Sequence, residues 1–276
     1  MISNPPTLRI LPIESLILHE DHDRQRALPL VEKLRATGVL RNPPIVMPLT
    51  DDSNRYMVLD GANRVTSLRE LEFPHIVAQV VQISNPNVNL QTWNHVIWGL
   101  KTRTFMSRLR RIKELELVKV NPRKSVDAPK YVPVQVRLPD GGFYMLREQP
   151  SDLPIHIDTL HKIVNVYKTN ASLDRTSQTL IDTFKHIYPD LTALIIFPHF
   201  KIKTVLKLAA QQIVLPTGIT RFTISPRALH LNYPLHELSS AKPIEYKQEY
   251  LNQWVEDRVK KKGVRLYSEA TFLFDE

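Results

Sequence analysis

Cysteine is absent from the 276-residue chain. Its absence excludes disulfide bonds, thiolate zinc sites, iron–sulfur clusters and a thiol nucleophile, and it suits a reducing compartment. No apolar run reaches the roughly 18 to 20 residues that a membrane span requires. Residues 1–15 contain three prolines and no apolar stretch typical of a signal peptide. We therefore expect a soluble, cytoplasmic protein with no membrane partner.

Glycine is scarce, with seven residues in the whole chain. No pair of them fits a Walker A loop or a G-x-G-x-x-G turn, so a bound phosphate would need another kind of site. The hydrophobic fraction of 42% is enough for a packed core and excludes wholesale disorder. At about 150 residues per domain, the length predicts one large or two ordinary domains.

Positive charge is in excess: 37 Lys and Arg against 28 Asp and Glu give a net charge of +9 and a pI near 9.6. Such a balance favours a polyanionic partner such as a nucleic acid or a nucleotide. Ten basic and three acidic residues lie in 101–130, which therefore carries +7 of the surplus. We interpret 101–130 as a basic connector, helical in part, so the surplus indicates little about a reaction.

Hydrophobic spacing up to residue 100 predicts a small α/β unit. Its predicted elements are an extended segment over 8–18, a helix over 27–37 capped by Gly38, strands over 45–47 and 56–59, a helix over 63–71 and a strand over 76–83. The remaining chain predicts a hairpin (131–138 with 143–147), helices over 157–167, 176–186, 201–212 and 246–262, and a buried strand over 191–197. The fold class is thus mixed α/β (α+β), with domains at 1–100 and 131–276.

The segment Val58–Arg64 reads as an apolar strand, an acid, a glycine turn and a helix start. The free amides of Gly61, Ala62 and Asn63 at a helix N-terminus would form an anion site, and the Arg64 guanidinium would add a fork for phosphate. Asp60 at the strand end could hold a hydroxyl or Mg²⁺. The alternative is an ordinary strand–turn–helix, because Asp-Gly turns are common.

An acidic segment, His-Glu-Asp-His-Asp, covers residues 19–23. Glu20 is the candidate general base, since a carboxylate suits proton acceptance from an alcohol that attacks a phosphoryl group. A metal cluster is a further possibility, although the spacing matches no helical ligand pair. The segment could equally be a solvated loop.

Two further segments carry polar groups beside an aromatic ring or a glycine. Trp93 and His95 could wall a small polar ligand, although such a tryptophan is more often part of a core. Thr220, Arg221 and Arg227 follow the Gly218 turn and form a candidate second phosphate clamp. On its own this second pattern is weakly specific.

In chain order, these pieces resemble the ParB/sulfiredoxin-like domain. The similarity rests on Leu-His-Glu20, Gly38-Val-Leu-Arg-Asn-Pro-Pro-Ile-Val46, Val-Leu-Asp60-Gly-Ala-Asn-Arg64 and the strand 76–81. Asn-Val-Asn-Leu-Gln-Thr-Trp93 and Leu-Pro-Thr-Gly-Ile-Thr-Arg221, followed by Arg227-Ala-Leu-His-Leu-Asn-Tyr-Pro-Leu, more narrowly resemble the free L-serine kinases built on that domain. The match covers residues 8–97 and 198–238.

The resemblance implies transfer of a phosphoryl group from ATP or ADP to L-serine, giving O-phospho-L-serine, in amino-acid or siderophore-precursor synthesis. It implies that Glu20 is the base, that Asp60 lies beside the transferred phosphate with Mg²⁺, and that the turn 61–64 cradles the phosphates. Trp93 would line the serine pocket together with His95 and Arg227. Arg221 and Thr220 would reach a phosphate from the second domain.

Asn63 and Phe222 stand where this family often has histidine. The Asn63 amide can exchange hydrogen bonds but cannot act as an acid or a base. A nucleotide-binding protein without turnover is therefore one alternative. A ParB-like, nucleotide-gated DNA-binding regulator is another, suggested by the basic segment 101–130, and it would require a helix-turn-helix after the first domain.

Overall fold

A computed structural model describes residues 5–22, 27–120, 134–148 and 156–266. The strands of this part of the chain are β1 (Leu8–Pro12), β2 (Leu16–Leu18), β3 (Val39–Leu40), β4 (Ile45–Pro48), β5 (Tyr56–Asp60), β6 (His75–Val80), β7 (Val88–Thr92), β8 (Asn94–Trp98), β9 (Leu115–Lys119), β10 (Val134–Arg137), β11 (Phe143–Glu148), β12 (Ser172–Thr176), β13 (Leu191–Ile196), β14 (Thr220–Ile224) and β15 (Tyr233–Pro234). The helices are α1 (Leu28–Thr37), α2 (Ala62–Glu70), α3 (Thr102–Leu109), α4 (Ile157–Asn165), α5 (Ile202–Ala210), α6 (Leu235–Ser239) and α7 (Ile244–Lys260). The mixed α/β class is confirmed.

The chain divides into two compact units. The first unit comprises 1–17, 23–87 and 224–276, and the second comprises 18–22 and 88–223. This division differs from the expected domains at 1–100 and 131–276, because the C-terminal residues from 224 onward belong with the first unit. The expected connector differs as well: α3 and β9 are elements of the second unit, while residues 121–130 lie outside the described residues.

The first unit is built on a five-stranded sheet in the order β1-β6-β4-β5-β2. Strand β6 pairs antiparallel with β1 and parallel with β4, and its residues Ile76, Val77 and Ala78 are fully buried. Helix α1 ends at Gly38, whose φ of 65° is the left-handed cap that the sequence predicted. Helix α7 packs against β1 and buries Leu251.

The second unit is built on a six-stranded sheet in the order β12-β8-β13-β10-β11-β9. Strand β13 is buried along its whole length, as its continuous apolar run predicted. The hairpin β10–β11 turns at residues 138–142, where Gly142 donates its N–H to Asp140. A smaller pair, β7 with β14, completes the strands of this unit.

The predicted helix over 176–186 is wrong. The segment begins as the end of β12, which pairs with β8, and the Thr176 hydroxyl then accepts the N–H of Gln178 in a local turn. A single 3-10 turn over Ile181–Phe184 follows. Its apolar side chains at 181 and 184 pack onto β8 and β13, which satisfies a helix-like spacing without a helix.

The order of elements after residue 87 bears on the DNA-binding alternative. In the described stretch 88–120 the order is β7, β8, α3 and β9, which contains no helix-turn-helix. Among the described residues, we also find no helix long and apolar enough to cross a bilayer.

Candidate active site

In the first unit, strand β5 passes into helix α2 through a turn that requires glycine. Gly61 has a φ of 95°, and a Cβ at this position would lie 2.8 Å from Pro44 Cβ and 2.9 Å from Arg64 Nη2. The first intrahelical hydrogen bond runs from the Val65 N–H to the Gly61 carbonyl, at 3.1 Å. The amides of residues 62–64 precede it and are therefore available at the helix start, the arrangement that favours an anion.

Two guanidinium groups converge on one carboxylate beside this turn. Oδ2 of Asp60 accepts a hydrogen bond from Nη2 of Arg64, at 3.0 Å, and a second one from Nη2 of Arg227. The Nη1 atom of Arg64 also donates to the carbonyls of Asn42, at 2.9 Å, and Pro43, at 3.2 Å. Burial lowers the pKa of Arg64, and the Asp60 charge opposes that shift. The three side chains together carry a net charge of +1, so the cluster can accept a further anion.

Asp60 is the candidate Mg²⁺ ligand in this group. No group of three metal-binding side chains occurs in the part of the chain that the structure describes. Mg²⁺ nevertheless binds through one or two carboxylates together with substrate phosphates and water. A single half-exposed carboxylate next to an anion site fits that requirement for one protein ligand.

In the second unit, Glu20 lies in a cradle of backbone amides. The residues 19–21 run beside 215–217, because Leu215 N–H donates to the His19 carbonyl at 2.8 Å and Asp21 N–H donates to the Leu215 carbonyl at 2.7 Å. The chain then turns at Gly218, which has a φ of 77°. We name residues Gly218, Ile219 and Thr220 the amide cradle.

The amide cradle donates four hydrogen bonds to the Glu20 carboxylate. Oε2 accepts the Gly218 N–H at 2.6 Å. Oε1 accepts the N–H groups of Ile219, at 3.1 Å, and Thr220, at 2.7 Å, and the Thr220 hydroxyl at 2.5 Å. These bonds fix the orientation of the carboxylate, while Oε2, with one donor, keeps a lone pair for a proton.

His95, which the sequence predicted to contact the substrate, is buried against the amide cradle, and both of its ring nitrogens have partners within the protein. Its side chain is 1% exposed. Nε2 lies 2.9 Å from the Gly218 carbonyl and Nδ1 lies 2.7 Å from the Tyr167 hydroxyl. Burial lowers the pKa of His95 to about 4, so the ring is neutral; Tyr167 donates to Nδ1, and Nε2–H donates to Gly218. Both ring nitrogens are used, which leaves none for a substrate.

Trp93 and Arg221 lie together beside the cradle. The backbone N–H of Trp93 donates to the Ile219 carbonyl at 3.0 Å. The indole ring of Trp93 is half-buried, and its centroid lies 4.3 Å from Cζ of Arg221. Thr220, which was predicted to contact phosphate, uses its hydroxyl and amide on Glu20. Phe222 packs edge-on against the His19 ring at 5.4 Å.

The structure thus groups the predicted residues into two sets. One set, in the first unit, is Asp60, Gly61, Ala62, Asn63, Arg64 and Arg227; the other, in the second unit, is Glu20, Trp93, His95, Thr220 and Arg221. The sequence missed the Gly218 and Ile219 amides, whose only signal was the glycine, and it missed Tyr167, a buried tyrosine with no distinguishing pattern.

The chain is similar to proteins named as L-serine kinases. No protein-family model matches the chain. The chain is 24% identical over 273 residues to the ATP-dependent L-serine kinase SbnI of Staphylococcus aureus, covering 98% of this chain and 97% of that protein. It is 32% identical over 90 residues to an ATP-dependent L-serine kinase of Staphylothermus marinus, covering 33% of this chain and 35% of that one. The chain is thus similar over nearly its whole length to a protein named as an ATP-dependent L-serine kinase.

Solved structures of the free serine kinase family share the fold of this chain. A C-terminally truncated SbnI from Staphylococcus aureus superposes with a TM-score of 0.74 at 23% identity, covering 91% of this chain and 97% of that one. A free serine kinase in complex with AMP gives a TM-score of 0.69 at 14% identity, with 86% and 95% covered. These solved structures share the fold of this chain although most aligned residues differ.

Proposed function

We propose that this protein is a nucleotide-dependent L-serine kinase, which phosphorylates the hydroxyl of free L-serine and releases O-phospho-L-serine. ATP is the proposed donor, with ADP as the alternative. The observation that carries the proposal is the Glu20 carboxylate, oriented by four donors and retaining a lone pair on Oε2. The full-length similarity to SbnI supports the choice of substrate.

Glu20 is the proposed general base. As the serine oxygen forms its bond to the transferred phosphorus and the bond from that phosphorus to the nucleotide oxygen breaks, the hydroxyl proton passes to Oε2 of Glu20. The amide cradle holds the carboxylate still during this step, so no reorganisation of the base is needed. Phosphoryl transfer depends on positioning and charge compensation more than on covalent chemistry by the enzyme.

The Asp60 cluster is the proposed phosphate site. The amides of Ala62 and Asn63 and the guanidiniums of Arg64 and Arg227 would donate to phosphate oxygens. Asp60 would hold Mg²⁺, which supplies positive charge against the phosphate oxygens when bound. Asn63 serves here as a hydrogen-bonding group only, and the base chemistry stays with Glu20.

Trp93 is the proposed wall of the serine pocket in the second unit, and Arg221 is the proposed donor to a phosphate oxygen. The indole offers an apolar face to the short aliphatic part of the substrate, and it stacks against the Arg221 guanidinium. A cytoplasmic location belongs to the same proposal, since a nucleotide and a free amino acid are its substrates.

The test is an incubation with ATP or ADP, Mg²⁺ and a panel of hydroxyl amino acids, read by phosphorus NMR and by separation of phosphoamino acids. We expect the unaltered protein to form O-phospho-L-serine as its main product. Nucleotide binding without any phosphoamino acid would support the alternative of a binding protein without turnover.

A further inference from the structure

Arg175 lies against the amide cradle, although no sequence pattern pointed to it. It belongs to β12 and pairs in register with His95 on β8, so both side chains project from the same face of the sheet. The Arg175 guanidinium fills the space beside Gly218 where a side chain would start. A Cβ built on Gly218 would lie 2.5 Å from Nη2 and 2.6 Å from Cζ of Arg175.

The position of this guanidinium depends on glycine at 218. Any other residue there would project into the charged group, and the φ of 77° disfavours a side chain as well. Gly218 therefore contacts two functional groups: its N–H donates to Glu20 at 2.6 Å, and its Cα faces the Arg175 guanidinium. A base and a cation flank the same glycine.

Arg175 is exposed and permanently charged, and within the described residues no hydrogen bond or ion pair joins its guanidinium to another side chain. This guanidinium lies against Gly218, the residue whose N–H donates to the proposed catalytic carboxylate of Glu20. Its planar donors match a carboxylate in bidentate geometry.

We infer that Arg175 binds the α-carboxylate of the amino-acid substrate and thereby selects amino acids over other alcohols. The inference rests on the proposed function, because it takes Glu20 as the group that faces the substrate hydroxyl. In L-serine the hydroxyl and the carboxylate sit on adjacent carbons. Oε2 of Glu20 and the Arg175 guanidinium both lie against Gly218, so one small amino acid would contact the two groups together.

A nucleotide phosphate is the competing anion for this guanidinium. The structure offers phosphate a separate, more complete site in the first unit, where helix-start amides and two guanidiniums converge beside Asp60. At Gly218 the backbone N–H is already donated to Glu20, so the cradle amides are not free for phosphate. The smaller, singly charged carboxylate is therefore the assigned ligand.

The test compares L-serine with L-serinamide, in which a neutral amide replaces the carboxylate. Kinetics and calorimetric binding are measured for the unaltered protein, Arg175→Gln, Arg175→Lys and the control Arg103→Gln, which removes one exposed charge from α3. We expect Arg175→Gln to raise the KM and Kd for L-serine by roughly 10- to 100-fold, the loss typical of a hydrogen-bonded charge. Arg175→Lys should recover part of it, and the KM for ATP should not change.

The decisive quantity is the ratio of the Kd for L-serinamide to the Kd for L-serine, together with the same ratio of KM values. The unaltered protein and Arg103→Gln should prefer L-serine by at least about tenfold, and Arg175→Gln should lose that preference. An unchanged ratio, or a raised KM for ATP in place of L-serine, would overturn the assignment. Failure of the unaltered protein to make O-phosphoserine would contradict the proposed function instead, while the calorimetric ratio would still decide the role of Arg175.

Discussion

Thr220 donates two hydrogen bonds to one oxygen of Glu20: its N–H lies 2.7 Å from Oε1 and its hydroxyl oxygen lies 2.5 Å from the same atom. The two residues are 200 positions apart in the chain, so the fold itself assembles this contact. With Oε1 held in this way, the carboxylate can present only Oε2 to a substrate. The orientation of the proposed base is thus set by the second unit's own backbone.

Replacing Thr220 by valine removes the hydroxyl donor and keeps the shape of the side chain. We expect kcat to fall by about tenfold, because a hydrogen bond to a charged group contributes roughly 1.5 to 3 kcal/mol and only part of it serves the reaction. Steady-state kinetics with saturating ATP measure the effect. Thr37→Val, which removes an exposed hydroxyl bonded within α1, is the matched control. An unchanged kcat in Thr220→Val would show that the hydroxyl does not orient the base.

Arg227→Gln tests the anion site of the first unit. Arg227 bonds to Asp60, and its side chain is 39% exposed, so its replacement should not affect folding. We expect the KM for ATP to rise by about tenfold, since one charge-assisted contact is lost. Arg55→Gln, which breaks an Asp51 pair away from the site, is the control. If the two variants have the same KM for ATP, Arg227 does not contact the nucleotide.

His95 should make the protein less stable as the pH falls. Its folded pKa of about 4 lies below the ordinary value of 6.5, so the unfolded chain binds its proton first. The stabilising contribution is complete above pH 6.5 and declines between pH 6.5 and 4. It amounts to about 2 kcal/mol between pH 7 and 5, at about 1.4 kcal/mol per pH unit.

Urea unfolding of the unaltered protein and of His95→Gln at these two pH values measures that contribution. The variant should be less stable at pH 7, because the Gly218 carbonyl and the Tyr167 hydroxyl lose a buried partner. It should also lose about 2 kcal/mol less than the unaltered protein on acidification. Equal losses in both proteins would show that His95 is not neutral in the fold.

Local features of the site could be predicted from the sequence, and long-range ones could not. The strand, glycine turn and helix around Asp60 and Gly61 lie within seven consecutive residues, so their spacing alone indicates an anion site. The amide cradle around Glu20 joins residues about 200 positions apart, and no local pattern encodes that pairing. For the same reason, the sequence predicted that His95 contacts the ligand, whereas the fold buries its side chain.

The error over 176–186 has a different cause. Ile181 and Phe184 have a spacing that suits a helix, but the same two side chains also pack onto a sheet from a 3-10 turn. Pairing of β12 with β8 decided between the two, and that partner strand lies about 80 residues earlier in the chain. Hydrophobic periodicity in a short segment does not distinguish these outcomes.

Lys247 provides a test of how the C-terminal helix is held. Its side chain is fully buried in α7, and Nζ donates to the Leu238 carbonyl at 2.7 Å and to Nδ1 of His75 at 3.0 Å. Lys247→Met fills the space but leaves both acceptors unpaired, which should cost about 2 to 4 kcal/mol. Thermal unfolding of Lys247→Met and of the exposed control Lys261→Met measures the difference. Equal melting temperatures would show that the buried amine makes no net contribution.

The most direct test of the account is the phosphorylation of free L-serine by the unaltered protein and by Glu20→Gln. Phosphorus NMR would follow O-phospho-L-serine, and calorimetry would follow nucleotide binding, with Glu249→Gln on the surface of α7 as the control. We predict that the unaltered protein and the control form O-phosphoserine, whereas Glu20→Gln binds nucleotide but turns over about 10²- to 10⁴-fold more slowly. Undiminished turnover in Glu20→Gln, or no O-phosphoserine from the unaltered protein, would contradict it.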